Sequence, residues 1–210
     1  MHVPPAFRQD DLAEQQALIR AARLGQFVTA TAAGPIATPL PLFLDAEEGP
    51  LGTLYGHLAR PNPQWSTPAF GEALAIFTGP DAYVRPGWYA AKRDHGKVVP
   101  TWNYEAVQAF GAVEFFEDTG RLREVVGRLT DLHEGAEVEP WRVEDAPERF
   151  VAGQLGGIVG LRLPIARLVG KRKMSQNRSA ADRAAVARGL AASPREAERR
   201  AAALIPVDPE

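Results

Sequence analysis

The spacing of apolar residues alternates between helical and strand periods along this chain. Leu12, Leu18, Ile19 and Ala22 recur at helical intervals behind Asp11, with Glu14 in the first turn, which predicts a capped helix from Asp11 to about Leu24, stopped by Gly25. Short blocks of β-formers follow, separated by Gly and Pro: QFVTAT from 26, ATPLPLFL from 37, LGTLYGHLA from 51, EALAIFTG from 72 and AYV from 82, with AVQAFGAVEFFE from 106 as a further candidate. Helical spacing returns at Leu122, Val125, Val126, Leu129 and Leu132, predicting an amphipathic helix from Thr119 to His133. A second helix is expected near Ala146 to Gln154, after an acidic stretch. In IVGLRLPI the alternation of Val159, Leu161, Leu163 and Ile165 marks one buried strand face, and Pro164 suggests an edge strand.

After Arg178 the composition turns to alanine, eleven between 179 and 204, with helix-start signatures at Ser179/Asp182 and Ser193-Pro194/Glu196. The expected class is mainly β with α (α+β). The spacing of the strands favours a small antiparallel barrel or sandwich over alternating βαβ units. Residues 1–178 would form the main domain and 179–210 a helical tail.

Composition narrows the function. With 210 residues, 45% of them hydrophobic, the chain can bury a sizeable core. A formal charge of −2 gives no global basic field of the kind that grips nucleic acid non-specifically, and the tail carries five basic against five acidic residues from 179 to 210. Any anion site must therefore be local. The absence of cysteine removes disulfides and thiolate metal centres and suits a reducing compartment. Neither a signal-like N-terminus nor a run of about 18 apolar residues occurs, so no membrane insertion is expected and the cytoplasm is the default location.

The sequence contains no H-E-x-x-H, G-x-S-x-G, P-loop or G-x-G-x-x-G pattern, and its four histidines, at 2, 57, 95 and 133, are too dispersed for a metal cage. All four tyrosines and three of the four tryptophans fall between Tyr55 and Tyr104, amid Pro, Asn and Gly. Rings beside polar groups suit a planar ligand; they equally suit a core. In GHLARPNPQW, residues 56–65, a strand ending near His57, Arg60 and Asn62 would present a guanidinium fork and hydrogen-bonding groups to phosphate, or His57 would be a satisfied wall residue beside a turn. The run GKRKMSQNR, residues 170–178, reads as a solvated loop, a small-anion site or a nucleic-acid contact. Its position before a Ser-capped helix would let Ser175, Gln176 and Asn177 offer donors, with Lys171 or Lys173 as point charges.

Taken in order, several blocks resemble the PaiB-type FMN-binding family, whose members carry labels of negative transcriptional regulation and of protease synthase and sporulation control. The matching residues are Phe7-Arg8, Ala37 to Pro41, Gly56 to Arg60, Asn62 to Trp65, Gly79-Pro80 and Ala82 to Val84. They continue with Trp88-Tyr89, Val98 to Tyr104, Gly170-Lys171, Lys173 and Ser175 to Arg178. The chain departs from the family pattern at Pro39, Arg85 and Gly87. The resemblance implies a split β-barrel with peripheral helices, a homodimer, and FMN near the subunit interface. It implies that Arg60 and Asn62 meet phosphate, that Thr38 meets the ribityl chain or ring edge, and that Trp88 or Trp102 flanks the isoalloxazine. Lys173, Ser175, Gln176 and Asn177 would close the site from the other subunit, and His57, Asn103 and Lys171 complete the cofactor-binding set.

Two functions fit: an FMN-dependent oxidoreductase or flavin reductase, and a negative regulator in which flavin is structural or sensory and DNA or a protein is the partner. Nucleic acid is the less favoured partner because no helix carries a clear basic face. A haem-binding split barrel is the weaker third reading, because His57 is the only histidine in the candidate pocket and the others have no supporting context. Flavin does its own redox chemistry, so no catalytic acid or base is assigned.

Overall fold

A computed structural model describes residues 1–207. In chain order its elements are β1 (Arg8–Gln9), α1 (Leu12–Ala22), β2 (Leu24–Thr31), β3 (Gly34–Pro41), β4 (Phe43–Asp45), β5 (Thr53–Ala59), β6 (Ala73–Val84) and α2 (Ala91–Asp94). They continue with β7 (Thr101–Gly111), β8 (Glu114–Phe116), α3 (Thr119–Glu134), α4 (Glu148–Gly156), β9 (Ile158–Pro164), β10 (Arg167–Lys173), α5 (Ala180–Ala191) and α6 (Glu196–Ala203). The chain divides into two compact units, the larger from Leu12–Phe77 and Gln108–Leu168, the smaller from Met1–Asp11, Thr78–Val107 and Val169–Glu210. Mixed helix and antiparallel sheet is the class expected from the alternation of the sequence.

In the larger unit β2 and β3 form a hairpin in unbroken register from Leu24↔Pro41 to Thr31↔Gly34. On its other side β2 pairs with the start of β6, Gln26↔Ile76 to Val28↔Leu74. A second antiparallel sheet runs in the order β4-β5-β9-β8. Phe27, Leu54, Leu58, Phe77, Leu161 and Leu163 are each no more than 1% exposed; at about 1.5–3 kcal/mol per buried large side chain they dominate this unit's stability. Helices α3 and α4 lay Leu122, Val125, Leu129, Val151 and Leu155 against Phe43 and Phe116.

Several sequence expectations are corrected here. Helix α1 ends at Ala22, because Arg23 takes a left-handed φ of 52°. Gly25 lies inside β2 instead, where a Cβ would sit 2.8 Å from the Phe77 ring, so glycine admits the ring. The helix buries Gln15 and Gln16 beside Ile19, and the Gln16 amide donates to the Leu51 carbonyl at 3.3 Å. Strand β9 is internal, between β5 and β8, and the edge position inferred from Pro164 is wrong. The proline is the last residue of the strand, opposite Thr53, where a missing N–H interrupts no inner ladder bond. EALAIFTG and AYV join into one strand: β6 runs through Gly79-Pro80 while its buried positions shift from odd numbers (73, 75, 77) to even ones (82, 84).

In the smaller unit β1 pairs with β10, Arg8↔Lys171 and Gln9↔Gly170, within the strand order β1-β10-β7-β6. The first half of the basic run is therefore strand, not loop. Ser179 caps α5, its hydroxyl accepting from the Asp182 amide at 3.2 Å. The predicted tail folds as the α5–α6 hairpin, with Val186, Leu190, Ala201, Ala202 and Ile205 buried against Ala82, Val84, Tyr89 and Met174. Residues 208–210 of that tail lie outside the described residues.

Candidate functional site

In the larger unit, the segment after β5 builds a small polar centre. Asn62 caps a 3-10 turn over Pro63–Trp65, accepting from the Gln64 amide at 2.9 Å, and Pro63 fits because the first turn needs no N–H there. The Trp65 indole N–H donates to the Arg60 carbonyl at 2.8 Å and closes the loop. This turns Gln64 inward, fully buried against the β2–β3 hairpin. Its Nε2 donates to the carbonyls of Phe27 (3.3 Å) and Ile36 (3.1 Å) and to Thr29 Oγ1 (3.1 Å). Its Oε1 accepts from Thr38 Oγ1 at 2.6 Å, and Asn62 Nδ2 donates to the same hydroxyl at 3.1 Å. Thr38 and Asn62 are thus brought together as partly exposed neighbours by a residue the sequence reading did not single out.

Arg60 and His57 are used differently. Arg60 Nε donates to the Gly156 carbonyl at 2.7 Å, Nη2 to the Ile158 carbonyl at 3.2 Å, and Nη1 pairs with Glu117. The guanidinium ties the end of β5 to the α4–β9 junction, and the carboxylate on it opposes an approaching phosphate. His57 shares a face of β5 with Tyr55, which packs into the cluster under α3 and α4. Among the described residues its Nδ1 is buried with no hydrogen-bond partner, and burial pushes the imidazole pKa below its ordinary value of 6.5.

In the smaller unit the basic run is organised by its own side chains. Asn103, fully buried on β7, and Ser175 exchange hydrogen bonds: Asn103 Nδ2 to Ser175 Oγ at 3.0 Å and Ser175 Oγ to Asn103 Oδ1 at 3.2 Å. That pair holds Ser175 at a left-handed φ of 61°. Gln176 clips the same bend, accepting from the Met174 amide at 2.6 Å and donating to the Arg172 carbonyl. Arg172 pairs with buried Glu105. Ser175, Gln176 and Asn103 therefore shape the loop, while Asn177 stays exposed. Lys171 donates to the His2 carbonyl at 3.2 Å and lies over the Tyr104 ring. Lys173 donates to Thr101 Oγ1 and the Trp102 carbonyl. Burial, then the charges of Lys171 and Arg178, push its ammonium pKa below the ordinary lysine value. Such a cluster favours an anion that relieves the repulsion.

The two tryptophans part ways. Trp88 packs on α5, where a Cβ on Gly189 would come within 2.6 Å of the indole, and Arg85 lies 5.7 Å from its ring centroid. Trp102 is 50% exposed, edge-on to Tyr83 at 5.9 Å, and keeps a face available for a flat ligand.

A separate cleft on the larger unit, lined by residues that include Phe43, Tyr55, Phe116, Arg121 and Arg128, contains none of the expected residues. Its arginines lie over Phe116 and Phe43 and are neutralised by Glu114 and Asp45, so it has no spare positive charge for a phosphate.

The family model described as "Putative FMN-binding domain" matches residues 1–167. Protease synthase and sporulation protein PAI 2 of Bacillus subtilis is 31% identical over 183 residues, covering 87% of this chain and 85% of that protein. An uncharacterised protein of Aspergillus fumigatus is 38% identical over 176 residues, and the match covers 66% of each chain. Among solved structures, the flavocytochrome Anf3 from Azotobacter vinelandii aligns with a TM-score of 0.60 at 16% identity, over 81% of this chain and 72% of that one. The FAD and heme binding protein from Mycobacterium smegmatis aligns with a TM-score of 0.58 at 15% identity, over 79% and 73%. At these identities the structural likeness is one of fold. The family match, together with the identity to PAI 2 over most of both proteins, shows that the chain belongs to the PaiB-type FMN-binding family.

Proposed function

We propose that this protein is a cytoplasmic FMN-dependent redox protein, a homodimer of split barrels in which each flavin site draws on both subunits. The observation that carries the reading is the cation cluster of Lys171, Lys173 and Arg178, in which Lys173 is held below its ordinary pKa by burial and by its neighbours. A phosphate dianion is the ligand such a group favours. The residues fit the cofactor: cations for its phosphate, the open face of Trp102 for its ring, and the Thr38–Asn62 pair for a polar edge. In this reading Lys173 comes from one subunit and Thr38 and Asn62 from the other. Arg60 and Trp88 act in the fold, because their groups are already engaged. Bound flavin supplies reversible electron transfer, and the chain's residues hold and orient it.

A second reading, an FMN-linked negative regulator, is favoured by the name of the Bacillus relative. An absorption spectrum of the purified protein, before and after anaerobic addition of NADH or NADPH, separates the two. Bleaching supports the redox reading; a flavin spectrum unchanged by either donor supports the regulator. Titration calorimetry tests the phosphate. FMN is expected to bind roughly ten- to a hundredfold tighter than riboflavin, the equivalent of about 1.5–3 kcal/mol for charge-assisted contacts, and Lys173→Glu should abolish the difference. Equal affinities in the wild type would remove the cation cluster from the site.

A further inference from the structure

Thr38 and Asn62 have a fixed hydrogen-bond polarity, and it can be traced to two backbone carbonyls. The carbonyls of Phe27 and Ile36 only accept, so the end of Gln64 that faces both, at 3.3 and 3.1 Å, is its NH₂ group. Its other end is then an oxygen, and the 2.6 Å contact with Thr38 Oγ1 is a bond that the threonine hydroxyl donates. The same logic fixes Asn62. Its oxygen accepts from the Gln64 backbone N–H at 2.9 Å, so its NH₂ faces Thr38 and donates at 3.1 Å. The Thr38 proton is therefore committed inward, leaving only a lone pair to offer. Asn62 keeps one N–H beside it.

Resting on the flavin reading above, we infer that Gln64 is a positioning residue that locks the Thr38–Asn62 pair as an acceptor next to a donor, so that it takes a ligand edge presenting N–H beside C=O, the imide edge of an isoalloxazine. A phosphate oxygen is disfavoured there because it would meet the Thr38 oxygen lone pair to lone pair. The pair thus belongs at the ring, and the phosphate at the cations.

The test uses FMN and 3-methyl-FMN, in which the imide N–H is replaced by N–CH₃, titrated against the full chain by flavin fluorescence. Wild type is expected to bind the methylated flavin at least about tenfold more weakly. Thr38→Val, equal in size but without the hydroxyl, should weaken FMN by about the same factor and lose the discrimination, and Thr38→Ser should restore it. Gln64→Met, if it melts cooperatively, should also lose the discrimination, because the freed hydroxyl can rotate; a change in fold alone would not alter the ratio selectively. Equal binding of the two flavins by wild type overturns the inference while the flavin reading stands. Persistent rejection of the methylated flavin by Thr38→Val shows a steric cause and also overturns it. Failure to bind either flavin overturns both.

Discussion

A buried imidazole with an unpartnered nitrogen ties stability to pH. His57 has a folded-state pKa below its ordinary value because burial disfavours the charged ring. The unfolded chain therefore takes up the proton first. Stability is fully present above about pH 6.5 and is lost as pH falls from there through the folded pKa. Urea unfolding at pH 7.5 and 5.5 should show the loss in wild type and a flatter profile in His57→Phe. Asp45 and Glu114, held below the usual carboxylate range first by hydrogen bonds from Arg128 and Arg121, act in a more acidic window. At this scale the sequence revealed residue types more readily than their use. Asn62 and Lys173 stood out because asparagine in an aromatic-rich block and lysine in a basic run suggest ligand contacts, whereas Thr38 was reached only through the family resemblance. Whether a donor points at a ligand or at its own backbone is a tertiary matter, so the roles of Gln64, Ser175 and Gln176 were hidden. A glutamine in the middle of a turn reads as solvated until its amide is seen bonded to the carbonyls of β2 and β3.

Among elements, the strands whose two faces differ in burial were the legible ones: β5 and β9 fall within the predicted blocks, and β2 contains its block but starts two residues earlier, at Leu24. Gly79-Pro80 misled because glycine and proline end most strands, yet β6 absorbs them at the point where its buried face changes parity. Helix α5 was legible from its cap, but its partner was not. A single missing side chain, at Gly189, lets the helix lie on Trp88. Gly189→Ala would gain about 1 kcal/mol of helix propensity and force a methyl into the indole at a typical overpacking cost of 1–3 kcal/mol. A net loss of up to about 2 kcal/mol is expected, read as a lower denaturant midpoint with a shift in tryptophan emission; a gain in stability would show that the indole moves aside freely.

For the whole molecule, the proposed sharing of a flavin site between subunits has a direct genetic test. Lys173→Glu sets a carboxylate among the cations, and Asn62→Asp sets one at the ring edge, so each homodimer should lose FMN. Co-expressed, they form heterodimers with one doubly damaged site and one intact site, and random pairing restores about a quarter of all sites. No recovery from folded, dimeric proteins would put both residues in one chain's site. The chain's order in time adds a further consequence of the β1–β10 pairing, which joins Arg8 to Lys171. On a ribosome adding roughly 5–20 residues per second, β1 waits on the order of ten to thirty seconds for its partner. By then every residue of the larger unit, which ends at Leu168, has been made. A nascent chain stalled before residue 170 would hold Thr38, Asn62 and Gln64 but none of the three cations, so under the proposed assignment it could offer a partner the ring-edge half of a flavin site but not the phosphate half.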